Sequence, residues 1–296
     1  MERKTAKDFD QELLDLFDQY VHGGIDRRGF FDRAAKFAVG GVTAATLLDA
    51  LSPRFAEAQQ VAKDDKRIKA ELLEYSSPQG YGKMRGYLVR PANAAGRLPG
   101  ILVVHENRGL NPHIEDVARR LALDNFMAFA PDALFPLGGY PGDEDKAREL
   151  FPKLDQTKTR EDFVAAANWL KARSDCTGRI GAVGFCYGGG ICNMLATRLP
   201  DLAASVPFYG AQPPTEEVPK IKAALLIHYA DKDERINAGW PVYEAALKAN
   251  HVRYEGYIYP GTQHGFNNDT TPRFDEKAAT LAWRRTIDWF NKHVRT

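Results

Sequence analysis

"GRIGAVGFCYGGGICNM", residues 178–194, sets a short apolar run against a cluster of glycines, with a cysteine at the junction. The run has the length of a buried strand, and "GGGICNMLATRL" after it has the make-up of a helix. Cys186 therefore falls on a strand-to-helix turn, in the frame Gly184-Phe185-Cys186-Tyr187-Gly188. This is the G-x-S-x-G elbow with its serine replaced by a thiol. Such a turn strains its nucleophile, so its neighbours must be small; Gly184, Gly188, Gly189 and Gly190 are candidates for that need. The start of the next helix favours a thiolate at Cys186, and the backbone N–H of Tyr187 would face an oxyanion.

Outward from that turn the pattern repeats. "LPGILVVHEN" and "MAFAPD" are continuous apolar runs suited to strands buried on both faces. Between them, Asn111 and Pro112 start a helix over "HIEDVARRLALDNF". "GDEDKARELFPKL" and "TREDFVAAANWLKA" have helical spacing, with Thr159 and Asp162 suited to the start of the second. "AASVPFYG", "AALLIHYADKD" and "YEGYIYPG" are further strands, and "NAGWPVYEAALKANH" and "EKAATLAWRRTIDWFNKHV" further helices. "RIKAELLEYSSPQGYGKMRGYLVRP" forms a hairpin before them. This alternation predicts one α/β domain over 59–296, a mostly parallel sheet with helices on both faces.

Reactive groups in such a sheet gather past the carboxyl ends of the strands. Asp231 and Asp233 end one strand and His264 follows the next, which gives the chain order nucleophile, acid, base. Of the seven histidines, His264 alone holds the place of a terminal base. "HENRG", 105–109, lacks the histidine that H-E-x-x-H requires, since position 109 is Gly109. Neither a metal nor an organic cofactor is expected. Three cysteines without a C-x-x-C pair exclude a disulfide scaffold, and the net charge of +1 excludes a nucleic-acid surface.

Residues 1–58 differ in kind. "FDQELLDLFDQYVHGG" suits an amphipathic helix with Phe9, Leu13, Leu16, Phe17 and Tyr20 on its apolar side. Arg27-Arg28, an apolar run from Phe37 to Leu51 and Ala56-Glu57-Ala58 follow, the layout of a twin-arginine export leader. The expectation is a leader segment over 1–58 and an exported, periplasmic enzyme. The competing expectation is that these helices are retained in a cytoplasmic protein, packed on the catalytic domain or a homodimer partner. The apolar run is too short and too polar for a stable membrane span.

The combination "HENRGLNPHIEDVARRLA", "GFCYGGG", "FYGAQ", "ADKD" and "QHGF" resembles the dienelactone hydrolase family, a branch of the α/β-hydrolase fold. The resemblance implies Cys186 as nucleophile, His264 as base and Asp233, which closes a four-residue turn, as the orienting acid. It also implies that Glu106 contacts the nucleophile, and that the N–H groups of Asn107 and Tyr187 form the oxyanion hole. The family's carboxylate-binding arginine four residues past the histidine is replaced here by Asn268, so the substrate stays open. Tyr209, Arg108 and Arg148 are candidate pocket residues, with Arg160 nearby. The expected activity is cleavage of a small-molecule ester or lactone through an acyl-thioester. A thioesterase or acyl transferase on the same triad, and a non-catalytic binding protein, are the alternatives.

Overall fold

The computed structural model describes residues 4–295. The outermost residues of both expected segments, 1–3 and 296, lie outside the described residues. The chain opens with α1 (Gln11–Val21), α2 (Arg27–Ala34), α3 (Ala44–Leu51) and the single turn α4 (Phe55–Ala58). A hairpin of β1 (Ile68–Ser77) and β2 (Gly82–Pro91) follows. Then come β3 (Leu98–Val104), α5 (Pro112–Leu123), β4 (Met127–Pro131), α6 (Glu144–Leu150), α7 (Gln156–Ala172) and β5 (Cys176–Phe185). The second half holds α8 (Tyr187–Arg198), β6 (Ala204–Phe208), β7 (Ala224–Lys232), α9 (Glu234–Asn237), α10 (Trp240–Ala249), β8 (Tyr254–Gln263) and α11 (Glu276–His293).

All eight strands form one sheet in the order β1-β2-β4-β3-β5-β6-β7-β8. The pairs β1/β2 and β2/β4 are antiparallel, and every other neighbouring pair is parallel. Side chains alternate across the central strands, so each strand feeds two cores. Leu102, Val104 and Ala182 face Phe163, Leu170 and Leu195 of α7 and α8. Ile101, Val103, Val183 and Phe185 face Val117 and Leu121 of α5 and Phe290 of α11. Burial on both faces explains why these strands carry unbroken apolar runs, each full side chain contributing about 1.5–3 kcal/mol.

The helix starts follow local chemistry. Asn111 caps α5 by accepting the Ile114 N–H at 3.2 Å. The start of α7 corrects the expectation at Thr159 and Asp162. Asp155 is the cap, accepting from Thr157 and Lys158, and the helix begins three residues before Thr159. Thr159 instead turns its hydroxyl back to the Asp155 carbonyl, and Asp162 receives the Tyr81 N–H.

The amino-terminal helices build a separate small core. Phe17, Tyr20 and Phe30 pack ring on ring, surrounded by Leu13, Leu16 and Leu51. Leu14 is buried as well, and Phe9 packs against this core from just ahead of α1. The apolar run from Phe37 to Leu51 is interrupted, becoming helical only from Ala44. No helix among the described residues is long and apolar enough to cross a membrane.

Candidate active site

β5 delivers Cys186 into a backbone conformation of φ 54° and ψ −111°, the strained left-handed side of conformational space. The turn is pinned by the Cys186 N–H, which donates to the Phe208 carbonyl at 3.0 Å, and by the Gly190 N–H, which donates to the Cys186 carbonyl. Gly184, Gly188 and Gly189 permit it, and a methyl group at Gly189 would lie 2.6 Å from the Phe208 carbonyl oxygen. A methyl group at Gly184 would lie 2.2 Å from the Gly188 carbonyl oxygen, and one at Gly188 would lie 2.2 Å from that of Val104. Gly190 does not share this need, because the nearest atoms to such a group are 3.7 Å away.

The acid and base arrive from the next strand ends. His264, one residue past β8, places Nδ1 2.6 Å from Asp233 Oδ2 at the end of β7. Both residues are buried. Asp231 turns away and accepts the Gly261 N–H at 2.9 Å. His264 Nε2 is buried without a hydrogen-bond partner among the described residues. It lies within 4.8 Å of the Cys186 sulfur. Burial alone would push the Cys186 thiol up, but the imidazoles of His22 and His264 outweigh it and bring the pKa down to about 6. Burial opposes the charge on His264, but the thiolate and Asp233 raise its pKa to about 10. Cys176 and Cys192 are buried without such neighbours, and burial pushes both thiols up.

The loop after β3 carries Glu106, Asn107 and Arg108. His105 anchors it: Nδ1 lies 2.5 Å from the Glu106 carbonyl and Nε2 accepts the Ala133 N–H. Burial drives the His105 pKa down to about 4, which keeps the ring neutral for both bonds. Glu106 lines the same small void as Cys186. Its Oε2 accepts from Asn268 Nδ2 at 2.9 Å, so the residue in place of the family's arginine holds this carboxylate. The Asn107 side chain donates to the Val21 carbonyl at 2.9 Å, and Arg108 reaches the same oxygen at 3.0 Å.

A cleft of about 760 Å³ opens beside the sulfur, lined by Tyr187, Ile191, Met194, Tyr209 and Pro214. Arg160, Arg198, Lys220 and Arg235 set its charge, against Glu217. Tyr209 is wholly buried with φ 36°, its ring centre 4.9 Å from that of His264, so it both supports the base and walls the cleft. Arg148 is not a cleft residue. Its guanidinium stacks on Tyr20 of α1, 4.5 Å from the ring centre. Arg108 lines a smaller void of about 60 Å³ between α1 and the sheet domain.

Residues 84–294 match the dienelactone hydrolase family. The chain belongs to that family. A protein of Escherichia coli (strain K12) named carboxymethylenebutenolidase is 30% identical over 233 residues, spanning 74% of this chain and 86% of its own length. The hydrolase fragment YghX of the same organism is 54% identical over 116 residues, 39% of this chain and 99% of the fragment. The crystal structure of a dienelactone hydrolase from Klebsiella pneumoniae subsp. pneumoniae superposes with a TM-score of 0.67 at 30% identity, covering 76% of this chain and all of that one. Residues 1–36 match a second family, described as YqhI-like.

The family alignment begins well past α1, and sequence reasoning missed the residue that α1 brings to the site. His22 caps the carboxyl end of α1 and places Nε2 3.3 Å from the Cys186 sulfur. The ring meets that of His264 edge-on at 4.8 Å. Nothing local marks His22, which stands 164 residues from the cysteine it touches. The one available signal was its position at the end of an amphipathic helix, followed by Gly23-Gly24. One ring nitrogen from each of His22 and His264 and the Cys186 sulfur all lie within 4.8 Å of one another.

Proposed function

We propose that this dienelactone hydrolase family member cleaves a carboxylic ester or lactone through a Cys186-His264-Asp233 triad and an acyl-thioester. One observation carries the proposal: the His264 imidazole is held by Asp233 on one nitrogen, and its other, buried and unbonded, faces a sulfur on a strained elbow. The Cys186 thiolate attacks the carbonyl carbon, and the C=O electron pair moves onto oxygen. Tyr187 opens α8, where a helix leaves its first N–H groups unsatisfied, and this N–H with that of Asn107 receives the oxyanion. The ester C–O bond then breaks as His264 Nε2–H protonates the leaving alkoxide. In the second half, His264 takes a proton from water, the hydroxide attacks the thioester, and the C–S bond breaks to restore the thiolate. Asp233 holds Nδ1–H throughout and so fixes which nitrogen exchanges the proton.

The basic side chains around the large cleft favour substrates carrying an anionic group away from the reacting carbonyl, beside apolar Ile191 and Met194. Cys186→Ala in the full chain should abolish turnover of a panel of charged and neutral esters and lactones while circular dichroism stays unchanged. Retained turnover across the panel would remove the assignment. Localisation turns on residues 1–58. Recovery of the native protein with its amino terminus near residue 59, outside the cytoplasm, would support the export leader, and an intact amino terminus would support retention.

A further inference from the structure

The strongest feature outside the triad is a second carboxylate-imidazole pair on the other side of the same sulfur. His22 Nδ1 lies 3.2 Å from Asp18 Oδ2 and 2.8 Å from the Asp18 carbonyl, one helical turn back. Asp18 is fixed in turn by Arg273 Nη1 at 3.1 Å. With both oxygens of Asp18 facing Nδ1, that nitrogen carries a proton, and Nε2 can donate to sulfur only when the ring is doubly protonated.

We propose that His22 is a catalytic residue of this hydrolase: the amino-terminal segment supplies a second imidazole, oriented by Asp18, that donates a hydrogen bond to the Cys186 thiolate and remains part of the working enzyme. The inference rests on Cys186 being the nucleophile and extends the site to residues that the family match does not reach. The proton balance is simple. In the resting site the thiol proton resides on His264, and His22 holds a proton from solvent that is neutralised by Asp18. When sulfur bonds to the acyl carbon and loses its charge, the His22 bond loses its acceptor. When the thiolate returns on deacylation, the bond re-forms. His22 therefore stabilises the leaving sulfur of the second step as well as the resting thiolate, and no other reactant is consumed.

Every charged group around the pair enters its balance. Asp18 on α1 favours the His22 charge, and His264 and Arg273 past β8 oppose it or act through Asp18. Burial also works against the charge on His22, but the thiolate and Asp18 outweigh it and raise its pKa. Arg235 of α9 places Nη2 3.3 Å from His22 Nε2. An arginine only donates, so this contact takes over when His22 is neutral and competes with the thiolate bond. Glu106 and Arg108 from the loop after β3, and Glu144 and Asp145 from α6, line the same void and complete the surroundings.

The test is the pH dependence of iodoacetamide alkylation on the full-length chain, with labelled peptides identified by mass spectrometry, which needs no substrate. Wild-type Cys186 should label with a midpoint near 6. His22→Gln keeps a polar side chain of similar reach but no charge. It should raise the midpoint by about one pH unit, since an opposite charge at this distance is worth about 1–3 units. Labelling near pH 6 would then fall several-fold and recover near pH 9. Asp18→Asn, which leaves the imidazole in place, should shift the midpoint the same way by less. An unmoved midpoint in both variants overturns the role of His22 and leaves the triad intact. A change in rate equal at every pH makes His22 a mere cover over the sulfur and overturns it too. Failure of wild-type Cys186 to label ahead of Cys176 and Cys192 overturns the nucleophile assignment, and this inference with it. A native enzyme whose chain begins after residue 22 also overturns it.

Discussion

Asp233 and His264 come from two neighbouring strand ends of a sheet whose central strands are buried on both faces, whereas Asp18 and His22 come from one turn of an outlying helix. The first pair stands on framework held by apolar burial: β7 is seated between two hydrophobic cores, and the edge strand β8 pairs along it and sends Tyr259 into one of them. The second pair belongs to helices with a core of their own, docked largely by polar contacts. Gln11 bonds Gln263, Arg273 bonds Asp18, and the Arg54 N–H donates to the Thr270 carbonyl. Tyr20 and Arg27 both bond Asp145. Hydrogen bonds of this kind, most of them part-buried, contribute about 1 kcal/mol net each. The proposed triad is therefore built into the fold, while the second imidazole is held beside Cys186 by a dock that can loosen before the sheet does.

That contrast can be broken in several places. Asp233→Asn should cost the most, about 10⁴-fold in kcat, because His264 would lose the partner that fixes its tautomer. Asp231→Asn, which touches only a turn amide, should change kcat by less than about threefold. A larger loss at 231 would reverse the assignment of the acid. The pH profile of kcat/KM should be a bell. Its acid limb near 6 reports loss of the Cys186 thiolate, and its alkaline limb near 10 reports loss of the His264 proton needed by the leaving group. An acid limb close to an ordinary thiol value would show that neither imidazole charges the sulfur.

The amino-terminal side should respond differently. Phe30 is fully buried at the centre of the small core, so Phe30→Ala should destabilise that unit by about 3–5 kcal/mol. Hydrogen exchange should show amides of α1 to α3 losing protection while those of β5 and β6 keep theirs. Equal loss across the chain would mean that the two regions unfold as one. Tyr20→Phe removes a single docking bond to Asp145 and should loosen α1 by about 1 kcal/mol, read from the same amides.

The sheet domain was legible because its signals are local. Cys186 is marked by the glycines that its own turn demands, and His264 by its place after the last strand. The choice of Asp233 over Asp231 came from a family turn, and the geometry pairs Asp233 with the base. The start of α7 was misplaced because Thr159 and Asp162 resemble a capping pair, whereas Asp155 was free to cap one turn earlier. Glu106 was expected to contact the sulfur, and its carboxylate accepts from Asn268, which stands in place of the family's arginine. The amino-terminal segment was ambiguous for a physical reason. Paired arginines before an apolar run suit an export signal, yet here Arg27 reaches Asp145 and stacks on Phe31 of α2. The stack lies one turn along α2 itself, whereas the bond to Asp145 depends on where the helix docks, which composition does not record.

One carbonyl ties the two regions together. Val21 oxygen takes hydrogen bonds from both Asn107 and Arg108 at the mouth of the oxyanion loop. A shift of α1 is thus handed directly to Asn107, whose backbone amide the proposed mechanism sets against the oxyanion. A lineage that shed the first helix would have to find a new acceptor for an amide and a guanidinium at once. Discarding that helix would change the catalyst, as well as uncover it.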